Sequence, residues 1–355
     1  MKTIRTPIDL AARGLISPES IPALDQVASR YAVAVPPALV ELIEGGPETD
    51  PIARQFVPDV AELETHDGEM ADPIGDHAHS PVEGIVHRYP DRVLLKLANI
   101  CAVYCRFCFR REMVGPGRPA VLAKKNLDAA LGYIRAHPEI WEVILTGGDP
   151  LVLSPRRLRA AMQAIAAIRH VRVIRIHTRL PVAEPARVDA ALVRALKVKG
   201  KAVYVAVHVN HARELSAAAR AACARIVEAG IPMLGQSVLL AGVNDHAQAM
   251  SDLMRALVEC RIKPYYLHHA DLAPGTAHLR SDIATGQQVM RALRGRVSGL
   301  CQPSYVLDIP GGHGKSPIGP NYLERVGDSA HYRVEDFTGR RHDYPPRGGG
   351  GVSWE

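Results

Sequence analysis

The chain has 355 residues, is 47% apolar and 23% charged, and carries a net charge of +6 at pH 7, enough to bury a large core as one big domain or one domain with a small appendage. It contains no apolar run of about 18 residues, and its opening stretch MKTIRTPIDLAARG lacks an apolar signal segment, so neither a membrane span nor a secretory leader is expected and the cytoplasm is the default. Positive charge is spread without a Lys/Arg block, so no nucleic-acid partner is expected and a basic pocket for anionic cofactors explains the balance equally well.

Residues 1–80 mix short amphipathic stretches such as ESIPALDQVASRYA and PPALVELIEGG with Pro-rich connections, which predicts a helical N-terminal region ending in an acidic, loop-like segment. From about residue 93 short apolar, β-branched runs begin, predicting strands over 93–98, 142–150, 171–179, 202–210, 232–240 and 264–272. Helical stretches fall between them, around 125–136, 155–168, 185–198, 212–229, 246–261 and 284–296. Apolar strands alternating with helices imply parallel pairing through right-handed crossovers. The fold class expected is therefore α/β, a partial or complete (β/α) TIM-like barrel over 81–320, with a doubly wound open sheet as the competing architecture. Gly147, Gly148, Asp149, His177, Arg179, His208, Asn210, Gln236 and Asp271 lie near the C-terminal ends of these strands, the edge where such folds build their sites. The polar tail, 321–355, ends PPRGGGGVSWE and is expected to be partly disordered.

Half of the six cysteines, Cys101, Cys105 and Cys108, sit within eight residues in CAVYCRFC, following the first strand. Such a cluster is not a disulfide framework, and soft thiolates at C-x3-C-x2-C spacing select zinc or an iron–sulfur cluster. A structural zinc is normally closed by four ligands. Cys223, Cys260 and Cys301 read as lone packing residues, so a zinc site would need a histidine such as His87. Three thiolates without an obvious fourth favour a cubane with one iron left open.

The segment LDIPGGHGKSP, 307–317, places Lys315 behind a glycine-rich turn. A phosphate-binding P-loop would need glycine where Ile309 stands, which disfavours Walker-type nucleotide binding. A Schiff-base lysine for pyridoxal phosphate (PLP) and a plain surface lysine remain.

The cysteine spacing followed by a strand ending TGGDP resembles the radical S-adenosylmethionine (SAM) superfamily, with Phe107 as the aromatic between the last two cysteines. The ordered blocks GIVHRYPDRVLLKLANICAVYCRFCFRRE, LTGGDPLVL, HVNHARE, GQSVLLAGVND, PYYLHHADL and DIPGGHGKSP, spanning about 80–320, are similar to those of lysine 2,3-aminomutases. That resemblance implies a radical SAM barrel with a [4Fe-4S] cluster on Cys101, Cys105 and Cys108, SAM on its open iron beside Gly147, Gly148 and Asp149, and PLP carried by Lys315. It further implies that Arg88 and Arg92 meet the PLP phosphate, that His208 and Gln236 line the cofactor sites, and that Arg110 takes the substrate carboxylate. Asp271 and Asp308 would receive the lysine side-chain ammonium, since a buried ammonium needs paired counter-charge; a turn role is the plainer alternative for Asp308.

The implied activity is migration of an amino group from Cα to Cβ of L-lysine, with an electron donor such as flavodoxin or ferredoxin and a homo-oligomer among the expected partners. An arginine 2,3-aminomutase and the short lysine aminomutase that makes β-lysine for elongation factor P stay open, whereas the acidic pair argues against the glutamate enzyme. Outside that class, a non-catalytic iron–sulfur or zinc-binding protein is the alternative. The chain departs from the longer family members in lacking a cysteine-rich C-terminal extension, in its shorter N-terminal region, in Phe107 and in His313.

Overall fold

The computed structural model describes residues 2–115, 117, 119–327 and 331–344. Its central element is one nine-stranded sheet: β1 (Ile85–Tyr89), β2 (Arg92–Ala98), β3 (Glu142–Gly147), β4 (Val173–Thr178), β5 (Ala202–His208), β6 (Met233–Val238), β7 (Ile262–His268), β8 (Ser304–Asp308) and β9 (Lys315–Pro317). The strands neighbour one another in chain order. β2 to β8 are parallel throughout, while β1 and β9 add antiparallel edges. A doubly wound sheet reverses its order at a switch point; this one does not, and the half-barrel reading holds.

The parallel strands are apolar on both faces because helices cover one side and the barrel core fills the other. In β3, five of six residues are buried. Leu158, Met162 and Ile165 of the helix Pro155–Ala166 and Leu253, Met254 and Leu257 of the helix Ala247–Glu259 supply part of that cover. Among the described residues no ladder closes β9 onto β1. Instead the Lys315 backbone N–H donates to Tyr89 Oη at 2.7 Å, so the two sheet edges meet through a side chain.

The N-terminal residues form short helices, including Pro7–Ala11, Ile21–Arg30 and Ala53–Phe56. They pack on the cysteine loop: Leu10, Leu39, Ile52 and Phe56 share a core with Val103 and Ala183. The loop backbone is pinned from the same side, Tyr104 N–H to Ala34 O at 2.9 Å and Arg106 N–H to Gln55 O at 2.9 Å. The buried Glu62 carboxylate accepts from Arg106 at 2.8 Å and also from Arg111.

Within the tail, 321–327 and 331–344 carry ordered structure. β10 (Leu323–Arg325), β11 (Tyr332–Glu335) and β12 (Arg341–Tyr344) form a separate antiparallel sheet. Asp336 organises its turn by accepting from Thr338 N–H at 2.8 Å and Arg340 N–H at 3.0 Å. Tyr322 lies 3.7 Å under the Arg294 guanidinium, which anchors the segment to the last barrel helix. The stretch PPRGGGGVSWE lies outside the described residues.

Candidate active site

The cysteine loop leaves β2 at Ala98 and is held by the end of β3. Gly148 N–H donates to Ala98 O at 2.5 Å and Asp149 N–H to Ile100 O at 2.9 Å. A Cβ on Gly147 would strike the Ala98 carbonyl and one on Gly148 the Ile100 carbonyl, and Gly147 also has φ +111°. The glycine pair is thus required first by close approach of the loop backbone.

Asp149, expected among the cofactor contacts, has another place. Its carboxylate accepts from Leu151 N–H at 2.9 Å, Thr178 Oγ1 at 2.7 Å, Arg179 N–H at 2.8 Å and Leu180 N–H at 3.0 Å. These donors fill the acceptor sites of its carboxylate, so the side chain ties the end of β3 to the end of β4.

The three thiols lie at the C-terminal mouth of the barrel. Burial in the protein mass pushes Cys105 up to about 11 and raises Cys101 and Cys108 as well, although Cys101 keeps solvent contact. Thiols held this way bind an electron-poor metal centre by giving up protons to solvent. Arg179, buried at the end of β4, donates from Nη1 to Cys105 Sγ at 3.3 Å. Phe107 packs beside the loop on Leu240, Val243 and Leu279, with its ring 5.4 Å from that of His208. His208 is bonded to Asn210 Oδ1 at 3.0 Å and kept neutral by burial. Gln236 pairs with His208 in the β5–β6 register, with a half-buried side chain at the same level.

Lys315 stands across the barrel mouth from this loop, at the start of β9. Gly311, Gly312 and Gly314 have φ of +85°, +90° and +90°, a conformation that L side chains avoid, and so form the tight return from β8. Lys315 Nζ donates to both carboxylate oxygens of Asp308, at 2.5 and 2.7 Å. His268 Nδ1 is 3.6 Å from the same carboxylate. Burial acts to raise Asp308, but the neighbouring His268 and the Lys315 charge outweigh it and hold the carboxyl at about 2. Asp271 is pushed the other way, up to about 7, by burial and by Asp308. Two aspartates in one site therefore differ by several units, the signature of a pair sharing limited counter-charge.

Arg88 and Arg110 converge on one carboxylate that sequence reading missed. Asp76, fully buried, accepts from Arg110 Nε at 3.0 Å and Arg88 Nη2 at 3.3 Å. Its ionised form is favoured because Arg110, Lys96 and Arg88 outweigh burial. The Asp76 loop also touches the lysine turn: His79 Nε2 is 3.0 Å from the Gly312 carbonyl, and a Cβ on Gly75 would lie 2.6 Å from Gly312 N. Arg92 opens β2, where it pairs with Asp91 at 2.6 Å and lies 3.8 Å over the ring of Tyr89, the residue whose hydroxyl accepts from Lys315 N–H.

Several buried side-chain atoms in this region lack partners, among them Arg88 Nε and His177 Nε2 on the lysine side and Arg179 Nε beside the cysteine loop. His177 is kept neutral by burial and by Arg175, Arg110 and Lys315 nearby. Unpaired buried polar atoms are rare, and here they mark polar capacity toward a ligand.

The residues fit the cofactors that the sequence implies. Among the described residues no three His, Cys, Asp or Glu side chains are gathered closely enough for one metal ion to bond them all. Thiolates around a single zinc stand about 4 Å apart, whereas a cubane offers each thiolate its own corner and suits a wider loop. The orphan Arg88 Nε and the Lys315 amine supply an anion donor and a carbonyl nucleophile for PLP.

The sequence also matches those of known families and proteins. The sequence profile of the radical SAM superfamily matches residues 95–254, and that of lysine-2,3-aminomutase matches 290–344. The L-lysine 2,3-aminomutase of Acetoanaerobium sticklandii is 40% identical over 308 residues, covering 87% of this chain and 74% of that protein. The L-lysine 2,3-aminomutase of Clostridium subterminale is 38% identical over 298 residues, covering 84% and 71%. The glutamate 2,3-aminomutase of Clostridioides difficile is 34% identical over 304 residues, covering 86% and 71%. A solved radical SAM methyltransferase from Sphaerobacter thermophilus superposes with TM-score 0.45 at 21% identity, over 63% of this chain and 68% of that one.

Proposed function

Because the chain belongs to the lysine 2,3-aminomutase family of radical SAM enzymes, we propose that it interconverts L-lysine and β-lysine by moving the amino group between Cα and Cβ. The observation that carries this reading is the lysine ammonium already seated on Asp308: Lys315 has the same side chain as the proposed substrate, and its Nζ is 2.5 Å from the carboxylate. A site that accepts one primary ammonium against Asp308, with Asp271 beside it, is built for another.

The family uses a [4Fe-4S] cluster, SAM and PLP; when bound, these supply a one-electron route to a carbon-centred radical and an electron-delocalising carrier for the migrating nitrogen. Cys101, Cys105 and Cys108 are the proposed cluster ligands, with Gly147, Gly148, His208 and Gln236 bordering the SAM side. Lys315 is the proposed attachment point of PLP, with Arg88 and Arg92 its proposed phosphate partners. Asp308 and Asp271 are the proposed acceptors of the substrate side-chain ammonium.

Arg110 would hold the substrate carboxylate at the opposite end, so length and charge at both ends are measured. A substrate with a terminal carboxylate, as in the glutamate-specific relative, would meet Asp271 and Asp308 and be repelled. The barrel walls keep water from the reacting carbons. A small ferredoxin or flavodoxin in a reducing cytoplasm is the proposed electron source, and a homo-oligomer the proposed assembly.

The test is anaerobic turnover of L-lysine by reconstituted protein with PLP, SAM and a strong reductant, following β-lysine by mass spectrometry beside a Lys315→Ala control. β-Lysine from the wild type alone supports the assignment. Reductive SAM cleavage without β-lysine removes lysine as substrate, and L-arginine is then the compound to try.

A further inference from the structure

Arg179 is the one cation among the described residues with a hydrogen bond recorded to a cysteine of the loop. Its Nη1 donates to Cys105 Sγ at 3.3 Å, and its side chain is 6% exposed. The other arm is fixed away from the sulfur: Nη2 donates to Gln55 Oε1 at 2.8 Å and Glu214 Oε2 at 2.5 Å. Its backbone N–H is held by Asp149 at 2.8 Å, and the guanidinium lies 4.7 Å over the Phe56 ring and 5.2 Å over that of Phe107. Glu214 is itself immobilised by Asn210 N–H at 2.8 Å and His211 N–H at 2.9 Å. The guanidinium therefore cannot swing off the sulfur without breaking contacts to three separate segments.

We propose that Arg179 is a positioning residue that raises the reduction potential of the iron–sulfur cluster by donating a hydrogen bond to the Cys105 sulfur, with Glu214 limiting the size of that effect. The inference rests on the reading that Cys105 is a cluster ligand. The step concerned is addition of one electron, from an external reductant such as a reduced flavodoxin, ferredoxin or dithionite, taking the [4Fe-4S] cluster from the 2+ to the 1+ state.

An N–H directed at a ligand sulfur stabilises negative charge there, and the reduced cluster carries one more negative charge than the oxidised one. Hydrogen bonds to sulfur and buried charge are the levers by which a protein sets such potentials. The Glu214 carboxylate neutralises most of the guanidinium charge at longer range and leaves the direct hydrogen bond as the main term. Removing the donor and removing the counter-charge should then act in opposite directions.

The experiment is an EPR-monitored redox titration of the reconstituted cluster in the wild type, Arg179→Lys and Glu214→Gln, without substrate. Lysine keeps the charge against Glu214 but lacks the second arm that reaches Cys105. Arg179→Lys is expected to lower the reduced-to-oxidised ratio at a fixed potential by at least threefold, a downward midpoint shift of about 28 mV at 59 mV per decade. Glu214→Gln is expected to raise the ratio by a similar factor.

A purely structural role would reduce cluster occupancy or melting temperature in both variants while leaving the midpoint of the assembled fraction in place, and that result overturns the proposal. If Arg179→Lys assembles no cluster, Glu214→Gln decides alone: an unmoved or lowered midpoint overturns it. A wild type that assembles no iron–sulfur cluster overturns the cluster reading and this inference together, whereas a wild-type cluster with unmoved midpoints overturns the inference only.

Discussion

Lys315 Nζ bridges both oxygens of Asp308, seven residues earlier in the chain, and ties β9 to the end of β8. The same ion pair keeps the lysine turn in place and keeps the aspartate ionised, so the two proposed tasks of the pair, holding PLP and receiving substrate, are mutually dependent. Lys315→Ala is expected to abolish β-lysine formation and borohydride trapping of PLP. It should also weaken the acid limb of stability. Asp308 is held at about 2, below the ordinary 3.8, so its stabilisation is present above about 4 and lost as pH falls toward 2. Removing the cation shrinks that window, which acid unfolding followed by circular dichroism will register; an unchanged acid midpoint would mean that His268 alone holds the carboxyl down.

Asp271 sets the pH dependence of substrate capture. Burial and Asp308 push it up to about 7, so it is neutral below that value and charged above. An ammonium ligand needs the charged form, and kcat/KM for lysine is expected to rise about tenfold per unit on the acid side of 7. In the ligand-free protein the sign is opposite. A folded pKa raised above the ordinary 3.8 contributes stability that is full below about 4 and lost as pH rises through 7. Lysine should therefore raise the melting temperature more at pH 8 than at pH 6. Asp271→Asn should flatten both profiles, and retention of the wild-type acid limb in that variant would assign the titration elsewhere.

What could be read from the sequence was what is local. The parallel strands β2 to β7 were legible because both faces are buried and their apolar runs are continuous, and the three cysteines stood out by their spacing within one loop, whereas Lys315 was singled out only through the family resemblance. β1, β8 and β9 were not legible: SYVLD is a short run of five residues, and IVHRY and KSP are edge strands carrying polar residues. The tie from Asp149 to the end of β4 was not legible either, because three of its donors, Thr178, Arg179 and Leu180, come 29 to 31 positions later. Asp76 meets Arg110 34 residues away and Arg179 meets Cys105 74 residues away. No periodicity in the sequence encodes such pairings.

Gly148 offers a test of how the cysteine loop is held. A methyl group there meets the Ile100 carbonyl, which is backbone and cannot rotate aside. Gly148→Ala is expected to displace the loop next to Cys101 and to lower iron and sulfide content after reconstitution severalfold, with far-UV circular dichroism preserved. Full cluster content in that variant would show that the loop tolerates the shift.

Glu62 anchors the same loop from the N-terminal side. Its carboxylate, 0% exposed, takes both Arg106 and Arg111. Removing one member of a buried ion pair costs about 3–5 kcal/mol because the remaining charge is left unpaired, and here two guanidiniums are left. Glu62→Gln is expected to lose at least that much in denaturant unfolding and to lose cluster content in parallel. Stability within about 1 kcal/mol of the wild type would mean that other acceptors take over the two arginines.

Asp76 links the two arginines assigned to anionic groups of cofactor and substrate. It spaces Arg88 and Arg110 while their positive charges would otherwise repel, and it touches neither reacting carbon. Its loss is therefore expected to appear in binding before chemistry. Asp76→Asn removes the charge and keeps the shape; PLP affinity and KM for lysine should each worsen about tenfold or more, with kcat changed less. Because truncating a buried charge partner costs about 2–5 kcal/mol, a thermal melt must accompany the kinetics to separate misfolding from misplacement. A lysine analogue lacking the carboxylate supplies the second control: if Asp76 acts through Arg110, its removal should cost lysine affinity and spare the affinity of the analogue. Equal losses for both compounds would assign Asp76 to the lysine turn, through His79 and Gly312, instead of to the arginine pair.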